Sequence, residues 1–486
     1  MADFLAALYL LDLFLLSLYG LLGLLTLWLY WRHKDEELTN PPTSIANLPR
    51  VTIQLPIYNE RFVIQRLINA VAKMDYPRDR LQIQVVDDST DDTSAIVTNL
   101  VTRYRSEGIN IQHIRRSNRQ GYKAGALANA MLEAEGEFLA IFDADFEPHA
   151  DFLINTVPHF LSQPKLGMIQ VRWGHLNDKD SPLTAAQSIA LDKHFVMEQS
   201  VRHRANLFPK FNGAGGIWRR TCIEDSGGWQ ADTVCEDLCL STRAILRGWH
   251  FRFLPKIIAP AELPTGITAY KNQQARWAKG SIQCLQKYSS SIIKEKNYSL
   301  LARLYALLSM SAYATHFLLL ALLILQVPLL LLDVQLPSWT LLFTIIGLSQ
   351  PILFVLAQKQ SYDDWLQRLA HFPTLILVAV GTAPSNGKAM IQALLGKNHP
   401  FVRTPKGMKP GKVTDDGQYR LPLDYVFIGE VFFLLYAIAG LIIAIYKKNP
   451  APMLLLLMSL FGFGYVLFLE IRELLPILLL RRLVKN

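Results

Sequence analysis

Acidic residues recur at the ends of short apolar runs in the first half of this sequence. Pro56, Tyr58, Asn59 and Glu60 close VTIQLP (51–56), Asp87, Asp88 and Ser89 follow LQIQVV (81–86), and Asp143-Ala144-Asp145 follows FLAIF (138–142). Any one set also suits a helix start, since Asp and Ser accept from the free N–H groups of a first turn. Three sets at three such ends point to a shared site. Asp143 and Asp145, two positions apart, can hold one hard divalent cation, Mg²⁺ or Mn²⁺, and leave positions open for diphosphate oxygens. Gly121-Tyr122-Lys123-Ala124-Gly125-Ala126 opens a helix with small residues and one lysine. Free N–H groups, the helix dipole and the Lys123 ammonium suit a phosphate; tight helix packing is the plainer use of the glycines. The stretch is neither a Walker loop nor GxGxxG, which disfavours ATPase and dinucleotide chemistry. Cys235-Glu236-Asp237 begins a further helix. Its acids either satisfy the dipole or supply Asp237 as a general base opposite a diphosphate. In Gln273-Gln274-Ala275-Arg276-Trp277, Arg276 can neutralise a leaving phosphate and Trp277 offers a flat face for a sugar ring. A basic interfacial helix with a tryptophan is the alternative.

Positioning these residues requires a sheet. Strands are expected at 51–56, 81–86, 109–114, 138–142 and 167–171, with helices near 60–73, 92–105, 122–134 and 149–161. Such alternation predicts an α/β domain with a mostly parallel sheet covered on both faces. These sheets bind ligands beyond the carboxyl ends of their strands, where the acidic residues fall.

The rest of the chain differs in kind. Of 486 residues, 18% are charged and 51% hydrophobic, with mean hydropathy +0.20. From Ser299 onward only nine of the forty acidic residues remain. A disordered chain or a disulfide scaffold is excluded. Apolar runs at 4–31, 301–330, 338–357, 423–446 and 451–470 are long enough to cross a bilayer. Segment 370–395 is apolar for only twelve residues before Pro384 and is expected to be interfacial or re-entrant. Arg32, His33 and Lys34 place the end of the first span inside, and the sum of later charges agrees; Lys447 and Lys448 fall on the wrong side. Asp12, within the first span, needs a partner in the bundle. The net charge of +9 thus reads as membrane retention, not nucleic-acid binding. Cys222, Cys235, Cys239 and Cys284 lack zinc-site spacing and read as ordinary thiols. Tyr305, Ser309, Tyr313 and His316 form a polar-aromatic stripe on the second span. With Glu430 they either line a channel or bond between helices.

Taken together, the elements resemble a processive family 2 glycosyltransferase of the cellulose synthase superfamily, nearest to the cellulose synthase-like A and C (mannan/glucan synthase) group. The motifs, in order, are QLPIYNE (54–60), VVDDSTDD (85–92), GYKAGAL (121–127), FDADFEP (142–148), FNGAGGIWRR (211–220), CEDLCLSTRAILRGW (235–249), QQARW (273–277) and FVRTPKG (401–407). The usual Thr-Glu-Asp is here Cys235-Glu236-Asp237. The resemblance implies a GT-A (Rossmann-like) fold between transmembrane helices, with an N-terminal span and linker at 1–47, a cytosolic catalytic domain at 48–298 and a membrane domain at 299–486. It implies that Pro56, Tyr58, Glu60, Asp87 and Asp88 meet the nucleotide of the donor. Lys123 and Arg276 would meet its diphosphate, Asp143 and Gln273 would help to hold the donor, Asp143 and Asp145 the metal, and Trp277 the acceptor. Asp237 and Arg276 are then the catalytic pair, and Phe401, Thr404 and Lys406 a gating loop that closes over the donor.

The implied activity is inverting polymerisation of glucose or mannose, as a β-1,4 chain, from UDP-glucose or GDP-mannose, with export of the growing β-glycan across the membrane. The implied setting is a plasma (inner) membrane, or a Golgi membrane in a eukaryote. No domain binding cyclic di-GMP is expected. Two other readings compete. One is a non-processive enzyme making a glycosyl lipid; the other is a transport or scaffold protein with a degenerate enzyme domain.

Overall fold

The computed structural model describes residues 1–34, 48–396 and 425–483. Seven strands form one mixed sheet in the order β3-β2-β1-β4-β6-β5-β7. They are β1 (Val51–Ile57), β2 (Leu81–Asp87), β3 (Ile111–Arg115), β4 (Phe138–Ile141), β5 (Leu166–His175), β6 (Gly216–Arg219) and β7 (His250–Ala261). β1 and β2 are buried along their whole length, as strands covered on both faces must be. The polar side chains inside them pair in register: Thr52 Oγ1 donates to Gln82 Oε1 at 2.7 Å, and Gln54 Nε2 to Gln84 Oε1 at 3.0 Å.

The parallel run β3-β2-β1-β4 matches expectation, but β6 enters antiparallel between β4 and β5. Neither β6 nor β7 was legible. β6 is only four residues long, and β7 carries Arg252, Lys256 and two prolines. β5 also runs past residue 171, because 172–175 continues alongside 258–261 after a register shift.

Of the helices, α2 (Tyr122–Ala130), α3 (Glu236–Leu246) and α4 (Ile267–Lys294) bring residues to the carboxyl edge of this sheet, while α1 (Ala2–His33), α5 (Val426–Tyr446) and α6 (Met453–Leu483) are long apolar helices. Among the described residues five segments are long and apolar enough to cross a membrane, 2–33, 314–331, 338–361, 426–446 and 453–475, and a sixth if the bent pair within 365–394 counts as one span. The expected second span, 301–330, is instead broken. Leu300–Met310 is a separate short helix, and Ala314–Leu331 alone has the length of a span. Trp365–Gly381 and Ala383–Leu394, in the segment expected to be interfacial or re-entrant, meet at a bend of 44° near Pro384, the geometry of either a broken span or a re-entrant loop.

The break also splits the polar-aromatic stripe. Tyr305 bonds Thr26 of α1 at 3.1 Å, Tyr313 donates to Gln274 of α4 at 2.9 Å, and His316 lies 3.2 Å from Asn386. These are bonds between helices. Lys447, which falls on the wrong side of the simple inside-outside count, sits 2.7 Å from the exposed carboxylate of Asp333. Asp12 is 6% exposed, and its Oδ2 has no hydrogen-bond partner among the described residues.

Sheet and membrane helices share a core. One apolar cluster runs from Leu139, Ile141 and Trp218 on the strands through Leu29 of α1 to Tyr305 and Met310.

Candidate active site

A cavity of about 680 Å³ opens at the carboxyl ends of β1 and β4 and is closed by the start of α3 and one face of α4. Pro56, Tyr58, Glu60, Asp88, Lys123, Asp143, Asp145, Asp237, Gln273, Arg276 and Trp277 all line it. Residues from opposite ends of the region 48–298 therefore meet at one place. Phe401, Thr404 and Lys406 lie outside the described residues.

Asp87 does not line the cavity, contrary to expectation. It is 1% exposed, and its carboxylate accepts from Ser89 N at 2.7 Å and from Ser94 Oγ at 2.5 Å, with His113 Nε2 at 2.9 Å. It holds the turn that presents Asp88. Burial alone would raise its pKa; bonds from His113, Ser89 and Ser94 outweigh that and bring it from 3.8 to about 2. A depressed carboxylate stabilises the fold above its unfolded pKa and loses that contribution as pH falls through the folded value. Asp87 is thus expected to contribute about 2 kcal/mol at pH 7. Denaturant titrations of the native chain and Asp87→Asn should differ by that amount at neutral pH and converge between about pH 4 and pH 2.

Asp88 is held from one side by Arg116, whose Nε donates to Oδ1 at 2.9 Å and whose Nη2 pairs with Oδ2. This planar two-point grip fixes the carboxylate at the cavity wall. Arg116 and Arg119 are functional candidates that the sequence reading missed. Arg119 lies with its guanidinium carbon 3.3 Å from the ring centre of Tyr58. Both come from the loop before α2, whose run of basic and polar residues (RRSNRQ) was the available signal.

The loop turns into α2 through Gly121 (φ +72°) and Tyr122 (φ +49°). A Cβ on Gly125 would run into the carbonyl of Gln120, so this glycine is required for packing. The helix start delivers Lys123, whose ammonium pairs with Asp143 and donates to Gly213 O at 3.1 Å. Burial works against the charge, yet the carboxylates of Asp143, Glu236 and Asp237 outweigh it and hold the pKa above the ordinary lysine value. Burial also raises the pKa of Asp237, and Lys123 lowers it without cancelling the rise. Glu236 is pushed up to about 7 by burial and by Asp237. Asp237 is therefore a stronger base than a solvated aspartate.

Gly213, at φ +85°, stands beside it: a Cβ there would lie 3.1 Å from Asp237 Oδ2 and 3.7 Å from Lys123 Nζ. Gly213→Ala should cost about 1 kcal/mol of stability through its left-handed backbone. By crowding the Asp237 carboxylate it should lower kcat by about 10-fold or more. Melting curves and initial rates separate the two effects.

On α4, Gln273, Arg276 and Trp277 face the cavity, while Gly280 packs against Cys235, leaving no room for a larger residue. The start of α3, with Asp237, thus rests directly on α4. Cys222, Cys239 and Cys284 are buried, and all four cysteines are free thiols.

Among the described residues no group of three or more His, Cys, Asp or Glu side chains converges on a metal position. Asp143 and Asp145 nevertheless both line the cavity, and the Asp143 side chain is 37% exposed to it. Two carboxylates with an open side fit a hard cation that shares its remaining positions with a bound diphosphate.

Residues 49–280 match the family described as glycosyltransferase like family 2. The chain is 41% identical over 279 residues to glucomannan 4-beta-mannosyltransferase 9 of Arabidopsis thaliana, an alignment covering 57% of this chain and 51% of that one. It is 40% identical over 280 residues to glucomannan 4-beta-mannosyltransferase 1 of Cyamopsis tetragonoloba, covering 57% and 53%. The chain spans about half the length of these relatives. Among solved structures, the mannosyltransferase PcManGT from Pyrobaculum calidifontis, in complex with GDP-Man and Mn2+, superposes with a TM-score of 0.57 at 22% identity. That match covers 81% of this chain and all of that one. The fold is GT-A, as the motifs implied.

Proposed function

We propose that residues 49–280 work as a glycosyltransferase family 2 domain and that the chain is a membrane-bound inverting hexosyltransferase. It takes mannose from GDP-mannose and adds it to a growing β-1,4 glycan, which it passes across the bilayer. The observation that carries this reading is the convergence of Asp237, Lys123, Asp143, Asp145 and Arg276 on a single cavity. The mannosyl donor is supported by the two plant relatives. Five described helices long and apolar enough to cross a membrane support a membrane setting, and the resemblance of 401–407 to the family's gating loop supports processivity.

The acceptor hydroxyl enters between Trp277 and Asp237. Asp237 takes its proton, and the freed oxygen attacks the anomeric carbon from the face opposite the nucleotide. The bond from that carbon to the diphosphate oxygen breaks as the new glycosidic bond forms, which inverts the configuration. Lys123 and Arg276 neutralise the charge arriving on the diphosphate, fixed cations aimed at where charge develops. Gln273 orients the donor. Asp143 and Asp145 would hold a divalent ion, which when bound supplies further charge neutralisation at the diphosphate. A single base suffices, because one displacement needs no carboxylate nucleophile.

The test is to offer the protein in lipid labelled GDP-mannose and UDP-glucose with a short β-1,4-mannan primer. Transfer from GDP-mannose into a polymer that β-1,4-mannanase digests is the expected result. A chloroform-soluble product bearing one sugar would overturn processivity, and transfer from neither donor would overturn the activity. EDTA is expected to lower the rate at least about 100-fold, with recovery on adding excess Mn²⁺ or Mg²⁺.

A further inference from the structure

Outside the catalytic cavity, a cluster of buried charge lies where α4 meets the last two membrane helices. Lys271 of α4 is 7% exposed, and its ammonium pairs with Glu430 of α5 at 2.5 Å and with Glu470 of α6. Glu430 is 0% exposed and Glu470 5%. One turn further along α6, Glu473 caps the N-terminus of α4. Its carboxylate accepts from Ile267 N, from Thr268 N at 3.3 Å and from Thr268 Oγ1 at 2.8 Å. Three acids from two membrane helices thus grip the first turns of one interfacial helix.

Successive helix residues are about 100° apart, so Lys271 and Gln273 point to opposite sides. Ile267, Tyr270 and Lys271 are buried, and Gln274 accepts from Tyr313. Gln273 and Arg276 turn away from that face into the cavity, and Trp277 joins them from the flank it shares with Tyr270. The grip therefore sets the rotation and axial position of the face that meets donor and acceptor. A rotation of about 20° would move the ends of these side chains by about 2–3 Å. Misplacement of about 1 Å already suffices to cost a large part of the rate.

We infer that Lys271 is a positioning residue for sugar transfer. With Glu430, Glu470 and the Glu473 cap it locks α4 to the membrane helices, so that Arg276 meets the leaving diphosphate and Trp277 the acceptor. This rests on the proposed function, but it also makes a claim that needs no turnover: the lock sets affinity for a nucleoside diphosphate. Burying an ion pair is a weak source of stability, whereas fixing a register is a well-attested use of one.

The experiment uses the full chain in lipid nanodiscs and titrates GDP with Mn²⁺, then UDP with Mn²⁺. In parallel it measures the fraction of GDP-mannose hydrolysed to free mannose instead of transferred. Lys271→Met and the milder Glu473→Gln are expected to weaken GDP binding about 5- to 10-fold. Both should raise the hydrolysed fraction, as water replaces a displaced acceptor, and Lys271→Arg should restore most of the affinity. If Lys271→Met fails to fold, Glu473→Gln alone decides. A folded Glu473→Gln with native affinity and native partition overturns the inference. So does activity that falls in every variant only in proportion to folded protein, the mark of a structural role. Absence of hexose transfer by the native chain would sink the proposed function while the titration still judges the lock. A native chain that binds neither nucleotide sinks both.

Discussion

Asp237→Asn is expected to lower kcat for sugar transfer by about 10³-fold, within the range general-base catalysis supplies. The substitution keeps the shape of the side chain at the start of α3 and removes only its ability to take a proton. Asp237 lies at the cavity wall beside Gly213 and Lys123, and burial makes it more basic than a solvated aspartate. Loss of one negative charge from the group around Lys123 should leave GDP-mannose affinity unchanged or slightly tighter. Pre-steady-state kinetics with titration of donor binding checks both halves. A kcat within about tenfold of the native value would show that the proton goes elsewhere, and Glu236, whose pKa is raised to about 7, would become the candidate.

Lys123→Met is expected to act on both stability and rate. Its ammonium is the cation in contact with Asp143 and the one whose charge is sustained by Asp143, Glu236 and Asp237 together. Removing it leaves these carboxylates facing one another across the cavity. The Lys123 side chain is 23% and that of Asp143 37% exposed, so cavity water screens part of the repulsion. The cost in stability should be about 1–2 kcal/mol, below that of a fully buried pair. The rate should fall further, by about 10²–10³-fold, because the leaving diphosphate loses a fixed charge aimed at it. Thermal melts and kcat measured together distinguish this from simple unfolding. Added Mn²⁺ should recover part of the stability and little of the rate.

Much of this site was legible because its chemistry sits where strand periodicity ends. Asp88, Asp143 and Asp145 each close or follow an apolar run, and the parallel order of β1, β2 and β4 sends their ends to one edge. Asp87 was misread for a physical reason. Two adjacent aspartates at a strand end point to opposite sides, and alternation makes one the wall and the other its support. Arg116 and Arg119 escaped because nothing in a basic loop announces which of its arginines will find a carboxylate or a tyrosine face. β6 and β7 were hidden by brevity and by prolines. The broken second span shows the limit of hydropathy: 311–313 holds no proline or glycine to announce a stop, yet one helix ends at Met310 and the next starts at Ala314.

The apolar cluster joining Leu139 and Trp218 to Leu29 and Tyr305 has a practical consequence. Excising the catalytic portion at residues 48–298 would leave the underside of the sheet bare of its natural cover. Such a fragment should precipitate or demand detergent. Calorimetry of the intact chain should likewise show sheet and bilayer helices melting as one cooperative unit.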